Sequence, residues 1–192
     1  MGTMLQAHDL TLEDFEGHEG CNEILNVTRP DVVRAVHDAY FEVGVDLVET
    51  NTFGANWANL AEYDITERIE ELAQAGARIA RESADHWSTP QQPRFVIGSV
   101  GPGTKLPTLG HAPYALLRDA YQRQVEGMLA GGVDAVLVET VQDVLQAKAA
   151  LVGARRAMDA VGSSAVLIAQ ITVETTGTML VGTETSAALV AL

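Results

Sequence analysis

Two stretches end an apolar run in a carboxylate followed by a hydroxyl: Gly44-Val45-Asp46-Leu47-Val48-Glu49-Thr50 and Gly132-Val133-Asp134-Ala135-Val136-Leu137-Val138-Glu139-Thr140. Each reads as a strand buried on both faces that delivers its polar pair at the carboxyl end, where parallel α/β enzymes place groups that meet substrate. A carboxylate there can hold a substrate ammonium through a charge-assisted hydrogen bond. It can equally bond the backbone amides of neighbouring loops and do no chemistry. Two such carboxylates in one site would repel the carboxylate of an amino-acid substrate, so one of the pair is expected to be structural.

Other candidates are weaker. Gly98-Ser99-Val100-Gly101-Pro102-Gly103-Thr104-Lys105 has the glycine content of a phosphate loop. Lys105 does not follow Gly103 directly, and Leu106-Pro107 prevents the helix whose amino terminus would hold a phosphate. The loop instead suits a close backbone approach to a small ligand. His18 and Cys21 are three apart on an irregular stretch, whereas a catalytic zinc needs three converging ligands, so neither is assigned to metal. His37 reads as part of a helix face and His111 as a loop residue. There is no Gly-x-Ser-x-Gly elbow with His and Asp partners.

The positioning elements follow from periodicity and punctuation. His8 to Val27 reads as an irregular surface loop. Thr28-Arg29-Pro30-Asp31 has capping-box form, and Val32, Val33, Val36, Tyr40 and Phe41 make the apolar face of the helix behind it, closed by Gly44. A strand is predicted over Val45–Phe53. Asp64 with Glu67 suggests a second capping box, opening a helix with the stripe Ile65, Ile69, Leu72, Ala73, Gly76, Ile79 and Ala80. Phe95–Val100 is the next strand. Tyr114–Ala130 is a helix with Leu117, Tyr121, Val125, Met128 and Leu129 inward. After the strand Val133–Thr140 comes a helix over Asp143–Asp159, with Val144, Leu145, Leu151, Val152 and Met158 apolar. Ala165–Val173 is the fourth strand, and Thr185–Leu192 starts another helix. Strands alternating with helices predict an α/β fold with a parallel sheet, either a (β/α)8 barrel or an open doubly wound sheet.

Bulk properties limit the partners. The 192 residues suffice for one domain, with 47% hydrophobic and 20% charged residues. A net charge of −14, from 12 basic and 26 acidic residues, argues against nucleic acid and anionic membrane as partners. Met1 to Leu10 lacks the basic and apolar regions of a secretory leader. The single cysteine, Cys21, excludes an internal disulfide framework and fits a reducing cytoplasm.

Taken together, several runs resemble the homocysteine S-methyltransferase family, and within it the homocysteine-binding barrels of cobalamin-dependent methionine synthases. They are Met1-Gly2-Thr3-Met4, Tyr40 through Phe53 with its Glu-Thr-Asn-Thr-Phe ending, Gly98-Ser99-Val100-Gly101-Pro102, Val138-Glu139-Thr140 with Asp143, and Thr176-Gly177-Thr178-Met179-Leu180. The resemblance implies a (β/α)8 TIM barrel, here incomplete, with residues 1–192 forming one partial domain of about strands 2 to 5. It implies methyl transfer from methylcobalamin, recharged by methyltetrahydrofolate, to zinc-bound homocysteine. Folate-binding and cobalamin-binding domains of the same polypeptide would be the partners. Glu139 resembles the residue that holds the homocysteine ammonium, which leaves Glu49 as the structural member of the pair. Thr52, Phe53, Ser99 and Gly101 resemble the pocket-lining exits of two strands, and Gly2 and Thr3 the remainder of an Asp-Gly-x-Met-Gly-Thr loop whose beginning would precede Met1. The family's zinc cysteines lie in Gly-x-Asn-Cys and Gly-Gly-Cys-Cys loops, neither of which occurs here, so they are expected beyond Leu192. No catalytic residue and no metal ligand is assigned to this chain, and the isolated segment is expected to be inactive. A cobalamin-independent methyltransferase using betaine or S-methylmethionine is the alternative enzyme. A non-catalytic half barrel that binds an amino acid or a partner is the alternative of another class.

Overall fold

The computed structural model describes residues 1–192. Two short helices, α1 (Gly2–Leu5) and α2 (Leu25–Thr28), precede α3 (Pro30–Glu42) and the strand β1 (Leu47–Glu49). Then follow α4 (Trp57–Leu60), α5 (Ile69–Trp87), β2 (Phe95–Val100), α6 (Tyr114–Gly131), β3 (Ala135–Val141), α7 (Val144–Val161), β4 (Val166–Ile171) and α8 (Thr185–Ala191). The four strands form one parallel sheet in the order β1-β2-β3-β4. All their carboxyl ends therefore reach the same edge.

The long helices cover only one face of the sheet. Val48, Val96, Val136 and Val138 share a core with Phe41, Leu72, Ala73, Tyr121, Val125 and Ala154. Residues one place out of phase point the other way: Leu47 and Phe95 are each 45% exposed, Val166 59% and Ile168 39%. An open doubly wound sheet carries helices on both faces, so this one-sided layer departs from it. Among the helices, α5 packs on α3 and α6, and α6 on α7. Gly127 of α6 and Gly153 of α7 permit this closeness, since a Cβ on either would stand 2.5 Å from a carbonyl oxygen of the neighbouring helix.

Several local expectations change. The first strand is three residues long rather than the span Val45–Phe53. The Thr50 N–H still bonds the Ile97 carbonyl, but the Asn51 side chain is then tied to Asn22 and Asn26, which turns the chain off the sheet. Neither capping box forms. Thr28 ends α2 and donates its hydroxyl to the Asp14 and Ile24 carbonyls, so α3 starts at Pro30 with Arg29 as its N-cap. Asp64 sits at φ 57° and closes a turn instead of opening α5. Within 8–27, residues 8–20 lie at the surface as expected, whereas Cys21, Ile24 and Leu25 are buried and clamp the end of the stretch into the core. The buried face of α7 is built largely from Ala147, Ala150, Gly153, Ala154 and Ala157, with Gln146 and Met158 also buried, while Leu145 and Val152 are exposed. Small residues prevail where α6 comes closest, at Gly153.

Candidate functional site

At the carboxyl edge of the sheet lies a cavity of about 540 Å³, and Glu49, Ser99 and Glu139 all line it. Its shape is held by an interlock of hydroxyls. Ser99 N–H donates to Thr50 Oγ1 at 3.0 Å, and Thr52 Oγ1 donates to the Ser99 carbonyl at 2.8 Å. Thr52 Oγ1 has only one proton, so Thr50 is the donor in their 2.6 Å contact. The Ser99 hydroxyl is left to donate to Glu139 Oε1 at 2.5 Å. One carboxylate oxygen of Glu139 is thereby anchored, and its accepting capacity is far from filled.

The backbone at Glu139 is aimed by an irregularity. β3 pairs with β4 through Val138 opposite Ala169 and Val141 opposite Ile171, a register shift that inserts an extra residue at 139–140. Thr140 takes φ 58°, in the left-handed region unusual for a β-branched residue. Bulges of this kind re-aim side chains beside functional sites, and such strain persists only where surrounding structure enforces it.

Glu49 differs from Glu139 in having no hydrogen-bond partner. Its carboxyl is raised above its ordinary 4.5, first by burial against the cavity wall and then by the charge of Glu139. It bonds no backbone amide, so the structural role expected of it has no contact to support it. Both carboxylates face the same space.

The structure brings Gly2, Phe53, Ser99 and Glu139 together in the cavity wall. Thr52 and Gly101 stand behind it. Thr52 is fully buried within the hydroxyl interlock. The Gly101 N–H donates to the Phe53 carbonyl, and a Cβ at 101 would lie 2.8 Å from the Phe53 ring, so the glycine lets Phe53 settle at the rim. Thr3 is exposed on α1, outside the wall. Sequence reasoning missed Glu23 and the buried nitrogen of His37. Glu23 is 8% exposed and accepts the Gly54 N–H at 2.7 Å, which fixes the loop carrying Phe53; burial raises its carboxyl. Nothing in the Gly-Cys-Asn-Glu run signals that contact, because it spans 31 positions.

The glycine loop after β2 is tied down through its carbonyls. Pro102 O accepts from Tyr121 and Gln146, and Lys105 O accepts from Gln146 at 2.9 Å. Only the three-residue turn Pro107–Leu109 follows the loop, so there is no helix amino terminus behind it to hold a phosphate. Nor do the residues present fit a zinc centre. The Cys21 thiol is pushed up to about 11, first by burial and then by the charge of Glu23, and no three His, Cys, Asp or Glu side chains converge on a point.

The family model of homocysteine S-methyltransferase matches residues 1–192. This chain belongs to the homocysteine S-methyltransferase family. It is 61% identical over 192 residues to a methionine synthase of Mycobacterium tuberculosis (strain ATCC 25618 / H37Rv) and 60% identical to one of Mycobacterium leprae (strain TN). The matches cover 100% of the chain and 16% of each relative, so the chain spans about a sixth of their length. Among solved structures, the metallated homocysteine methyltransferase MmuM of Escherichia coli superposes with a TM-score of 0.73 at 21% identity, over 100% of this chain and 67% of that one. Its oxidised form gives 0.72 at 20% identity, over 100% and 66%. At such identities these two establish likeness of fold. No helix of this family member is long and apolar enough to cross a membrane.

Proposed function

We propose that residues 1–192 are part of the homocysteine-binding (β/α)8 barrel of a methionine synthase, contributing about its second to fifth strands. The observation that carries this is the 61% identity to a methionine synthase along the entire chain. The one-sided helix layer supports the barrel: a closed barrel has helices outside and strand side chains such as Leu47, Phe95 and Ile168 packed inside. The reaction of the whole protein is transfer of a methyl group from methylcobalamin to the homocysteine thiol, giving methionine. Folate-binding and cobalamin-binding domains of the same polypeptide, in the cytoplasm, complete the cycle. Zinc, which lowers the pKa of the substrate thiol when bound, belongs to cysteines outside these residues.

This chain's own part is to hold the amino-acid end of the substrate. Glu139, fixed through Ser99, accepts the ammonium, and Phe53 and Gly2 bound the space beside it. The test uses the full-length polypeptide supplied with methylcobalamin and homocysteine. Methionine is the expected product, and its absence with a folded, cobalamin-loaded protein overturns the proposal. Replacing methylcobalamin by betaine or S-methylmethionine should give no methionine.

A further inference from the structure

Glu49 and Glu139 line one cavity, and their hydrogen bonding differs in kind. Glu139 accepts the Ser99 hydroxyl at 2.5 Å, the short bond that suits a charged carboxylate. Glu49 accepts nothing and forms no ion pair. The titratable groups around it come from each neighbouring element of the wall: Glu139 from β3, Glu23 from the segment before α2, His37 and Tyr40 from α3, and the amino group of Met1 ahead of α1. From β2 it meets Ser99, which is uncharged. His37 is buried with its pKa lowered to about 4, so at neutral pH it brings no positive charge. Burial, and then the charge of Glu139, raise the Glu49 carboxyl above 4.5 against a smaller opposing effect of the Met1 amino group. An amino-acid substrate adds the negative charge of its own carboxylate to this space, which favours a proton on Glu49 still more. The other strand-end side chains have spent their donors: Thr50 on Thr52, Ser99 on Glu139, and Asn51 on Asn22 and Asn26. A proton on Glu49 is the donor left to them.

We propose that Glu49 is a substrate-binding residue, which donates a hydrogen bond from its carboxyl group to the carboxylate of the bound amino acid while Glu139 holds the ammonium. The inference rests on the homocysteine-binding role proposed above and gives the two strand-end carboxylates opposite tasks at one zwitterion. Two charged carboxylates would repel the substrate's own. One charged acceptor and one neutral donor match it group for group, and a carboxylic acid kept neutral by its surroundings is a good donor to an anion. Glu49 thereby sets specificity for a substrate that carries a carboxylate beside its amino group, and it takes no part in moving the methyl group.

Ligand binding to the full-length polypeptide tests this, with homocysteine and two analogues: homocysteamine, which lacks the carboxylate, and γ-mercaptobutyrate, which lacks the ammonium. Glu49→Ala is expected to raise the Kd for homocysteine and γ-mercaptobutyrate by about tenfold or more and to leave that for homocysteamine within about twofold. Glu139→Ala should do the reverse, weakening homocysteamine and sparing γ-mercaptobutyrate. Glu49→Gln, whose amide N–H donates in the same place, is expected to recover most of the alanine loss at neutral pH. Wild-type affinity for homocysteine should fall as pH rises through the Glu49 midpoint and the donor proton leaves, and it should fall more steeply than in Glu49→Gln. Equal losses of homocysteine and homocysteamine in Glu49→Ala overturn the proposal, as does Glu49→Gln binding homocysteine as poorly as the alanine variant. Should Glu49→Ala fail to fold, the pH profiles decide: a flatter one for Glu49→Gln supports the proposal, and one parallel to the wild type overturns it. A wild type that does not bind homocysteine overturns this inference and the proposed function together. Binding is read without turnover, so a protein with the expected pattern that makes no methionine refutes the proposed reaction alone.

Discussion

The two strand-end carboxylates look alike in sequence, and their surroundings separate them. Glu139 is anchored by Ser99, whereas Glu49 has no bonding partner and a raised pKa. Glu139→Ala in the full-length protein should raise the KM for homocysteine by about tenfold to a hundredfold, the worth of a hydrogen bond between charged groups. Zinc content should not change, and loss of zinc would refute the assignment. Burial is the larger cause of the Glu49 shift and the charge of Glu139 the next. Glu139→Gln should therefore lower the Glu49 midpoint, followed by NMR, without restoring the ordinary 4.5. His37 gives a stability signature: burial lowers its pKa from 6.5 to about 4. The folded state then binds this proton less readily than the unfolded chain. The stability is fully present above 6.5 and is lost as pH falls towards 4, by up to about 3 kcal/mol. Urea melts across that window should show a shallower acid loss for His37→Gln than for the wild type, and equal losses would exclude His37 as the source.

At the scale of elements, helix contacts and loop anchors carry the fold. Gly127→Ala should improve intrinsic helix propensity by about 1 kcal/mol, yet its methyl would meet the Glu70 carbonyl at 2.5 Å. A net loss of about 1–3 kcal/mol is expected, because backbone cannot yield as a side chain can; a raised melting temperature would contradict this. Asp143 is fully buried, caps α7 through the Leu145 N–H and holds both the N–H and hydroxyl of Thr108. Asp143→Ala should cost about 2–3 kcal/mol, from the lost cap and the stranded buried donor, as read by chemical denaturation. In both cases the sequence placed the helix while the neighbour that fixes its energetics came from elsewhere in the chain. The apolar residues of α7 show the same limit, since Met158 is buried while Leu145 and Val152 are exposed and alanines fill most of the inner face.

For the molecule as a whole, the sheet has helices on one side only, and a second cavity of about 680 Å³ between β4, α7 and α8 is lined by Leu151, Leu167, Ile171 and Leu189. Residues 1–192 expressed alone should therefore bind a hydrophobic dye and self-associate, as apolar patches and open sheet edges do. A monodisperse, dye-negative monomer in sedimentation velocity would contradict this. The sequence by itself determined the alternation of strands and helices, the parallel sheet, the family, and the candidates Glu139, Ser99 and Phe53, because periodicity, glycine stops and strand-end polar residues are local signals. Only the tertiary structure decided that Glu49 faces the same cavity as Glu139, that Thr52 and Gly101 stand behind the wall, and that Glu23 and His37 belong to it. Those placements depend on hydrogen bonds, close approaches and a bulge at Thr140 that join distant segments, and such contacts arise only when the strands are packed side by side.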